Sequence, residues 1–192
     1  GTVVYTGTEP AGANGPDLTS LFVGSEGTLG VITRVWLRSH PLPATQRRAA
    51  YLFPTFADGI NTCRAAVQHG ATPAVLRLYD ADESKRSHGT DGKQCTLLVL
   101  DEGDERIVTA TLEIVHDAAI ANGAQVGDVE LVEKWMHHRN NTSGLQEATR
   151  RGFIVDTMEV AAQWSSLEAI FTNVRASLMA VEGALSATCH LS

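Results

Sequence analysis

From Arg48 onward the chain switches repeatedly between two hydrophobic periods, and that switching limits the folds open to it. Arg48–Phe53 reads as a strand. Thr55–His69 carries Phe56, Ile60, Cys63 and Val67 three or four residues apart, which sets them on one face of a helix. Ala74–Leu78 reads as a second strand and Asp80–Arg86 as a short helix. A polar turn with glycine, His88–Lys93, leads into an apolar strand, Cys95–Leu100. Asp104–Asn122 reads as a long helix with Ile107, Leu112, Ile114, Val115, Ala118 and Ala119 in its apolar set. Asn122-Gly123 closes it, glycine being the usual residue for a left-handed helix end. Ala124–Val126 opens a fourth strand. Two β-α-β units in this order predict a split, ferredoxin-like α+β sandwich. The remainder reads as a helix over Val129–His138, a strand over Phe153–Val160, a helix over Ser165–Val181 and a strand over Ala184–Leu191. No segment repeats at a solenoid period.

The first forty residues have a different style. Thr2–Tyr5 reads as a short strand and Gly7–Pro16 as a loop. Asp17 suits the N-cap of a short helix, Leu18–Phe22. Val31, Thr33, Val35 and Leu37 alternate with Ile32, Arg34, Trp36 and Arg38, which predicts a strand. The run HPLPATQ then reads as a linker. The expected organisation is a piece over residues 1–41 and a second domain over residues 46–192.

Composition removes several functions. The formal net charge is −7, the wrong sign for displacing counterions from nucleic acid. No apolar run reaches the roughly 18–20 residues that a bilayer requires, and the N-terminus lacks the basic and apolar regions of a signal peptide. Cys63, Cys95 and Cys189 are odd in number, far apart and set in apolar runs. They read as free thiols in a reducing cytoplasm. There is no CxxC or HxxxH, so no metal site is expected. His137 and His138 are adjacent and would point about 100° apart on a helix.

The local signal that carries chemistry is Gly24-Ser25-Glu26-Gly27-Thr28-Leu29-Gly30. Three glycines in seven residues let the backbone adopt positive φ and approach a ligand closely. Successive peptide N–H groups in such a bend form a concave anion site, and Ser25 and Thr28 add hydroxyls. A pyrophosphate suits this loop; a plain tight turn before a strand is the alternative. No Gly-Lys-Ser/Thr follows, and the glycine spacing differs from the GxGxxG dinucleotide fingerprint.

The stretch GPDLTSLFVGSEGTLGVITRVWLRSHPLP, residues 15–43, closely resembles the end of the FAD-binding domain of the vanillyl-alcohol-oxidase-like flavoproteins (the VAO/PCMH type). That family includes D-lactate and glycolate dehydrogenases and alkylglycerone-phosphate synthases. The resemblance implies FAD as cofactor, held in part by residues 24–30. It also implies a C-terminal cap domain over the flavin ring, which the α+β alternation independently favours. Ala74–Asp80 and Asp156–Glu159 with Trp164 are similar to segments of the synthases, and Arg77 falls on a functionally important arginine of that group. The hydroxy-acid dehydrogenases usually show Val-Pro in place of Glu159-Val160. Ala187–His190 resembles a strand that leads, in the synthases, to a catalytic tyrosine.

Three further residues become candidates. Arg77 lies between Leu76 and Leu78, and burying an unpaired guanidinium is costly. Two readings stay open: an ion pair with Glu159 or Asp156, or a face toward flavin or an anionic substrate, where its planar fork suits carboxylate or phosphate. By resemblance Arg139 would grip substrate phosphate; a solvated helix end is the alternative. His190 would line the site or simply pack. Trp135 and Trp164 read as packing. The resemblance places the first FAD domain before Gly1 and the tyrosine beyond Ser192, so the chain is expected to be incomplete and to bind FAD weakly. Three functions compete: an alkylglycerone-phosphate-synthase-like transferase, an FAD-linked 2-hydroxy-acid dehydrogenase, and a non-catalytic α+β module. The implied partners are a small-molecule or lipid-phosphate substrate and, as an assembly, a homodimer.

Overall fold

Strand alternation sorts the side chains of the second domain into two layers. In the computed structural model, which describes residues 1–9, 12, 13 and 15–192, the chain divides into two units, Gly1–Leu42 and Pro43–Ser192.

The first unit contains one short helix, α1 (Leu18–Phe22). Asp17 caps it as expected, its carboxylate accepting from the amides of Thr19 and Ser20. The strands expected over Thr2–Tyr5 and Val31–Leu37 do not form; both segments are without regular structure. Alternation fits a segment to a pleat, but a strand exists only where its N–H and C=O groups meet a neighbour. Neither segment is paired among the described residues.

The second unit is built on β1 (Thr45–Phe53) and β3 (Cys95–Gly103), paired antiparallel along nine residues with Thr45 opposite Gly103 and Phe53 opposite Cys95. β2 (Val75–Tyr79) pairs with the other edge of β3, β4 (Gln125–Val126) with β1, and β5 (His190–Leu191) with β2, all antiparallel. The order β4-β1-β3-β2-β5 is the split β-α-β arrangement predicted from the sequence, extended by one edge strand.

The connecting helices begin where short polar side chains satisfy free amides. Thr55 caps α2 (Phe56–Gln68), Asp80 caps α3 (Ala81–His88) and Asp104 caps α4 (Glu105–Ala121). Gly89 ends α3 with φ +70°, a conformation that glycine adopts without a Cβ penalty.

One sheet face is fully roofed. Tyr51, Phe53, Leu78, Leu97 and Val99 meet Phe56, Ile60 and Cys63 of α2, Val115 and Ala119 of α4, and the partly buried Trp164, Leu167 and Phe171 of α7 (Trp164–Met179). The Phe56 and Phe171 rings lie 4.3 Å apart. On the other face a smaller cluster joins Ala50, Tyr79, Leu98 and Leu100 to Val132 and Trp135 of α5 (Glu130–His138). Leu97, Leu98 and Val99 are fully buried in succession, so β3 serves both layers; each such side chain contributes about 1.5–3 kcal/mol by burial.

Two further expectations change. Phe153–Val160 is irregular rather than a strand, with Ile154 97% exposed, and Ala184–Leu191 shrinks to β5. Here too the missing ingredient is a partner edge. An unforeseen helix, α6 (Ser143–Arg150), buries none of its residues, so it left no apolar stripe to read.

Candidate functional site

In the loop 24–30, Gly24 and Gly27 have φ of +83° and +82°, and Glu26 has φ +49°. The space where a Cβ would stand on Gly24 or Gly27 is open to at least 4 Å. Gly30 has another reason to be glycine: its Cβ would lie 3.3 Å from the Phe22 ring. The Ser25 and Thr28 amides are spent inside the bend, donating to the carbonyls of Phe22 and Ser25. The Thr28 hydroxyl also donates to the Ser25 carbonyl, at 2.7 Å, so it is a strut of the loop rather than the free donor expected from the sequence. The Glu26, Gly27, Leu29 and Gly30 amides carry no hydrogen bond among the described residues. A backbone with positive φ, free amides and open space at Gly24 and Gly27 fits a dinucleotide phosphate.

The second group of candidates stands on the less covered sheet face. In β2, Leu76 and Leu78 turn to the helical layer, so Arg77 and Tyr79 turn away from it. Arg77 lies opposite Leu98, and Tyr79 lies opposite His190 of β5. The Arg77 Nη2 group donates to His190 Nε2 at 2.5 Å. Its guanidinium carbon is 5.8 Å from the centre of the Tyr79 ring and 5.7 Å from that of Trp135. Arg139, exposed at the C-cap of α5, brings its guanidinium to 5.4 Å from the same indole. Trp135 thus packs, as expected, and also collects two cations by their attraction to the π-face.

Neither arginine has an acidic partner among the described residues, whereas Arg48 pairs with Glu133, Arg47 with Glu105 and Arg175 with Asp82. The ion pair of Arg77 with Glu159 or Asp156, one of the two readings of the sequence, is not formed. The Arg77 Nε atom is buried with no hydrogen-bond partner among the described residues.

The position of His190 follows from a polar network at the end of the sheet. Buried Asp80 accepts the Cys189 amide at 2.8 Å while its own amide donates to the Cys189 carbonyl at 3.0 Å. The Thr188 hydroxyl donates to Glu83 at 2.6 Å, and Arg175 Nε donates to the Ala187 carbonyl at 2.8 Å. Burial pushes the Asp80 carboxyl above its ordinary range. Burial acts the same way on Glu83, but hydrogen bonds from Ser87 and Thr188 and the Arg86 charge outweigh it, and its pKa falls.

Two residues of this face gave no signal in the sequence. Tyr79 is buried among Arg77, His190 and His88, and His88 meets it edge-on with ring centres 4.5 Å apart. Both ring nitrogens of buried His88 lack a partner among the described residues. Burial lowers the His88 pKa, with Glu83 opposing. Burial and then the Arg77 charge lower that of His190, with Glu83 and Glu159 opposing. Burial raises the Tyr79 phenol, and Arg77 moderates the rise.

Chemically, this face offers two unneutralised guanidinium groups over an aromatic floor, able to take a carboxylate or phosphate beside an apolar group. Among the described residues no three His, Cys, Asp or Glu side chains stand close enough to hold a metal, and no helix is long and apolar enough to cross a membrane.

Comparison with known proteins agrees with this architecture. A FAD-linked oxidoreductase of Escherichia coli, YgcU, itself uncharacterized, is 32% identical over 183 residues, covering 91% of this chain and 38% of the relative. A probable mitochondrial D-lactate dehydrogenase of Danio rerio is 28% identical over 191 residues, covering 93% of this chain and 38% of the relative. Alkyldihydroxyacetonephosphate synthase of Caenorhabditis elegans is 39% identical over 74 residues, 38% of this chain and 12% of the relative. A solved structure of an alkyldihydroxyacetonephosphate synthase superposes with a TM-score of 0.69 at 20% identity, over 85% of this chain and 35% of that one. The chain spans 38% of the length of the first of these relatives. Residues 42–191 match the sequence pattern described as FAD linked oxidases, C-terminal domain, and the chain belongs to that FAD-dependent family.

Proposed function

We propose that the chain serves an FAD-dependent enzyme of the alkylglycerone-phosphate-synthase kind, which exchanges the acyl chain of acyl-dihydroxyacetone phosphate for a fatty alcohol. The observation that carries this reading is the pair of unneutralised arginines, Arg77 and Arg139, on one indole beside an apolar sheet face. A phosphate next to an aliphatic chain has the matching chemistry. In this reading residues 24–30 hold the flavin's pyrophosphate through backbone amides, and FAD, when bound, supplies the ring at which the substrate carbon reacts. Arg77 and Arg139 bind and orient the phosphate, and His190 stands against the Arg77 guanidinium.

A second reading has its own observation. Of the relatives compared above, the oxidoreductase and the D-lactate dehydrogenase match more than nine-tenths of the chain, while the synthase match covers 38% of it. In an FAD-linked 2-hydroxy-acid dehydrogenase, Arg77 would hold the substrate carboxylate instead. The experiment offers FAD-loaded protein two assays. Incorporation of labelled fatty alcohol into acyl-dihydroxyacetone phosphate supports the synthase reading. Dye reduction by D-lactate or 2-hydroxyglutarate without that incorporation replaces it with the dehydrogenase reading.

A further inference from the structure

We infer that His190 acts on Arg77 rather than on substrate: its unprotonated Nε2 holds the guanidinium in place, so that the remaining N–H groups meet an anion already aimed. The inference rests on the proposal that Arg77 takes an anion.

An arginine side chain has only donors. Its 2.5 Å contact with His190 Nε2 therefore assigns that nitrogen as acceptor and leaves the ring proton on Nδ1. The mount for the imidazole is stiff. His190 sits opposite Tyr79 in the sheet with ring centres 5.6 Å apart. The residue before it is pinned through both backbone groups to buried Asp80. Thr188 and Ala187 are tied to Glu83 and Arg175. Arg77, by contrast, carries many rotatable bonds and no carboxylate to fix it. Ordering such a side chain costs free energy at the moment of binding unless the protein has already done so.

The groups facing His190 are Arg77 and Tyr79 from β2, Glu83 from α3 and Glu159 from the irregular segment before α7. The two carboxylates favour protonation of the ring. Burial and Arg77 oppose it and prevail, so the acceptor form is the one present at neutral pH. A protonated ring has no lone pair for Arg77 and repels it.

Two measurements test this. The first is the tautomer of His190, read from imidazole ¹⁵N shifts in the unmodified chain at pH 7.5. Protonation on Nδ1 is expected; a proton on Nε2 overturns the inference. The second is the affinity for inorganic phosphate of variants that remain folded by circular dichroism. His190→Gln retains an acceptor at the Nε2 position and is expected within about threefold of the parent. His190→Lys adds a cation without an acceptor and is expected to lose about tenfold, the loss typical of one charge-assisted hydrogen bond. Equal or tighter binding by His190→Lys would mean that histidine works through charge alone, and would overturn the inference. An Arg77→Met variant that binds phosphate normally removes the anion reading instead, while the tautomer still tests the Arg77–His190 contact by itself.

Discussion

The two faces of the sheet use the same strands for opposite purposes. Leu78 is fully buried under α2, and its neighbours Arg77 and Tyr79 look the other way, toward Trp135 and His190. Because side chains alternate with period two, one strand can give half its residues to stability and half to chemistry without compromise. The roofed face is dense and aliphatic. The other is covered by α5 and, at its end, by His88 of α3, and holds charged groups that cost stability unless something binds them.

The sharpest way to break this contrast is to cut into each face separately. Leu97→Ala, on the fully buried roofed side of β3, is expected to cost about 2–5 kcal/mol, measured by urea unfolding. Arg77→Met keeps the length of the stem and removes the unpaired charge; its expected effect on stability is within about 1 kcal/mol. Comparable losses for the two variants would refute the division of labour. Gly59→Ala tests how closely α2 lies on the sheet. A Cβ there would run into the side chain of Leu78. The helix propensity gained, about 1 kcal/mol, is expected to be outweighed by an overpacking cost of about 1–3 kcal/mol. A more stable variant would show that Leu78 has room to move. Thiol chemistry gives a milder probe. Burial pushes Cys63 up to about 12 and Cys95 and Cys189 to about 11. At pH 8 iodoacetamide should modify the native chain slowly, with the partly exposed Cys189 reacting before buried Cys63. Intact-mass spectra over time decide it, and rapid loss of Cys63 would contradict the packing.

What was legible in the sequence was what neighbouring residues decide among themselves. The face of α2, the Asp17 cap of α1, the apolar run of β3 and the glycine after α4 are local facts, and the order of elements then implied the sheet order. Arg77 was legible as an anomaly, a guanidinium between two leucines. Pairing was not legible, because a strand's partner can lie anywhere in the chain; Val31–Leu37 has the alternation of a strand and no ladder. Helix α6 escaped because nothing in it is buried. His88 escaped because its importance lies in the ring of Tyr79 against it, a contact across the end of β2 that no spacing rule encodes.

That contact supplies the smallest and most specific prediction. His88 lies buried against Tyr79 with its pKa below the ordinary value of 6.5, and His190 is depressed in the same direction. A base with a depressed folded-state pKa binds its proton more readily when the chain unfolds. Between the folded value and about 6.5 the unfolded state therefore holds more protons, and stability rises with pH. The contribution is fully present above that range and is lost as pH falls through it. Across pH 5.5 to 7 Asp80 works in the opposite sense, because burial raises its carboxyl and its folded form binds a proton more readily, so the histidine contribution is read as the difference between the parent and the histidine variants. The thermal midpoint should fall on acidification across this interval. His88→Phe retains a ring against Tyr79 but cannot take up a proton, and should flatten the fall; adding His190→Gln should flatten it further. A variant with the parent's pH slope would mean that His88 is as free to protonate in the folded chain as in the unfolded one, and that this edge of the chemical face is wetter than its burial implies.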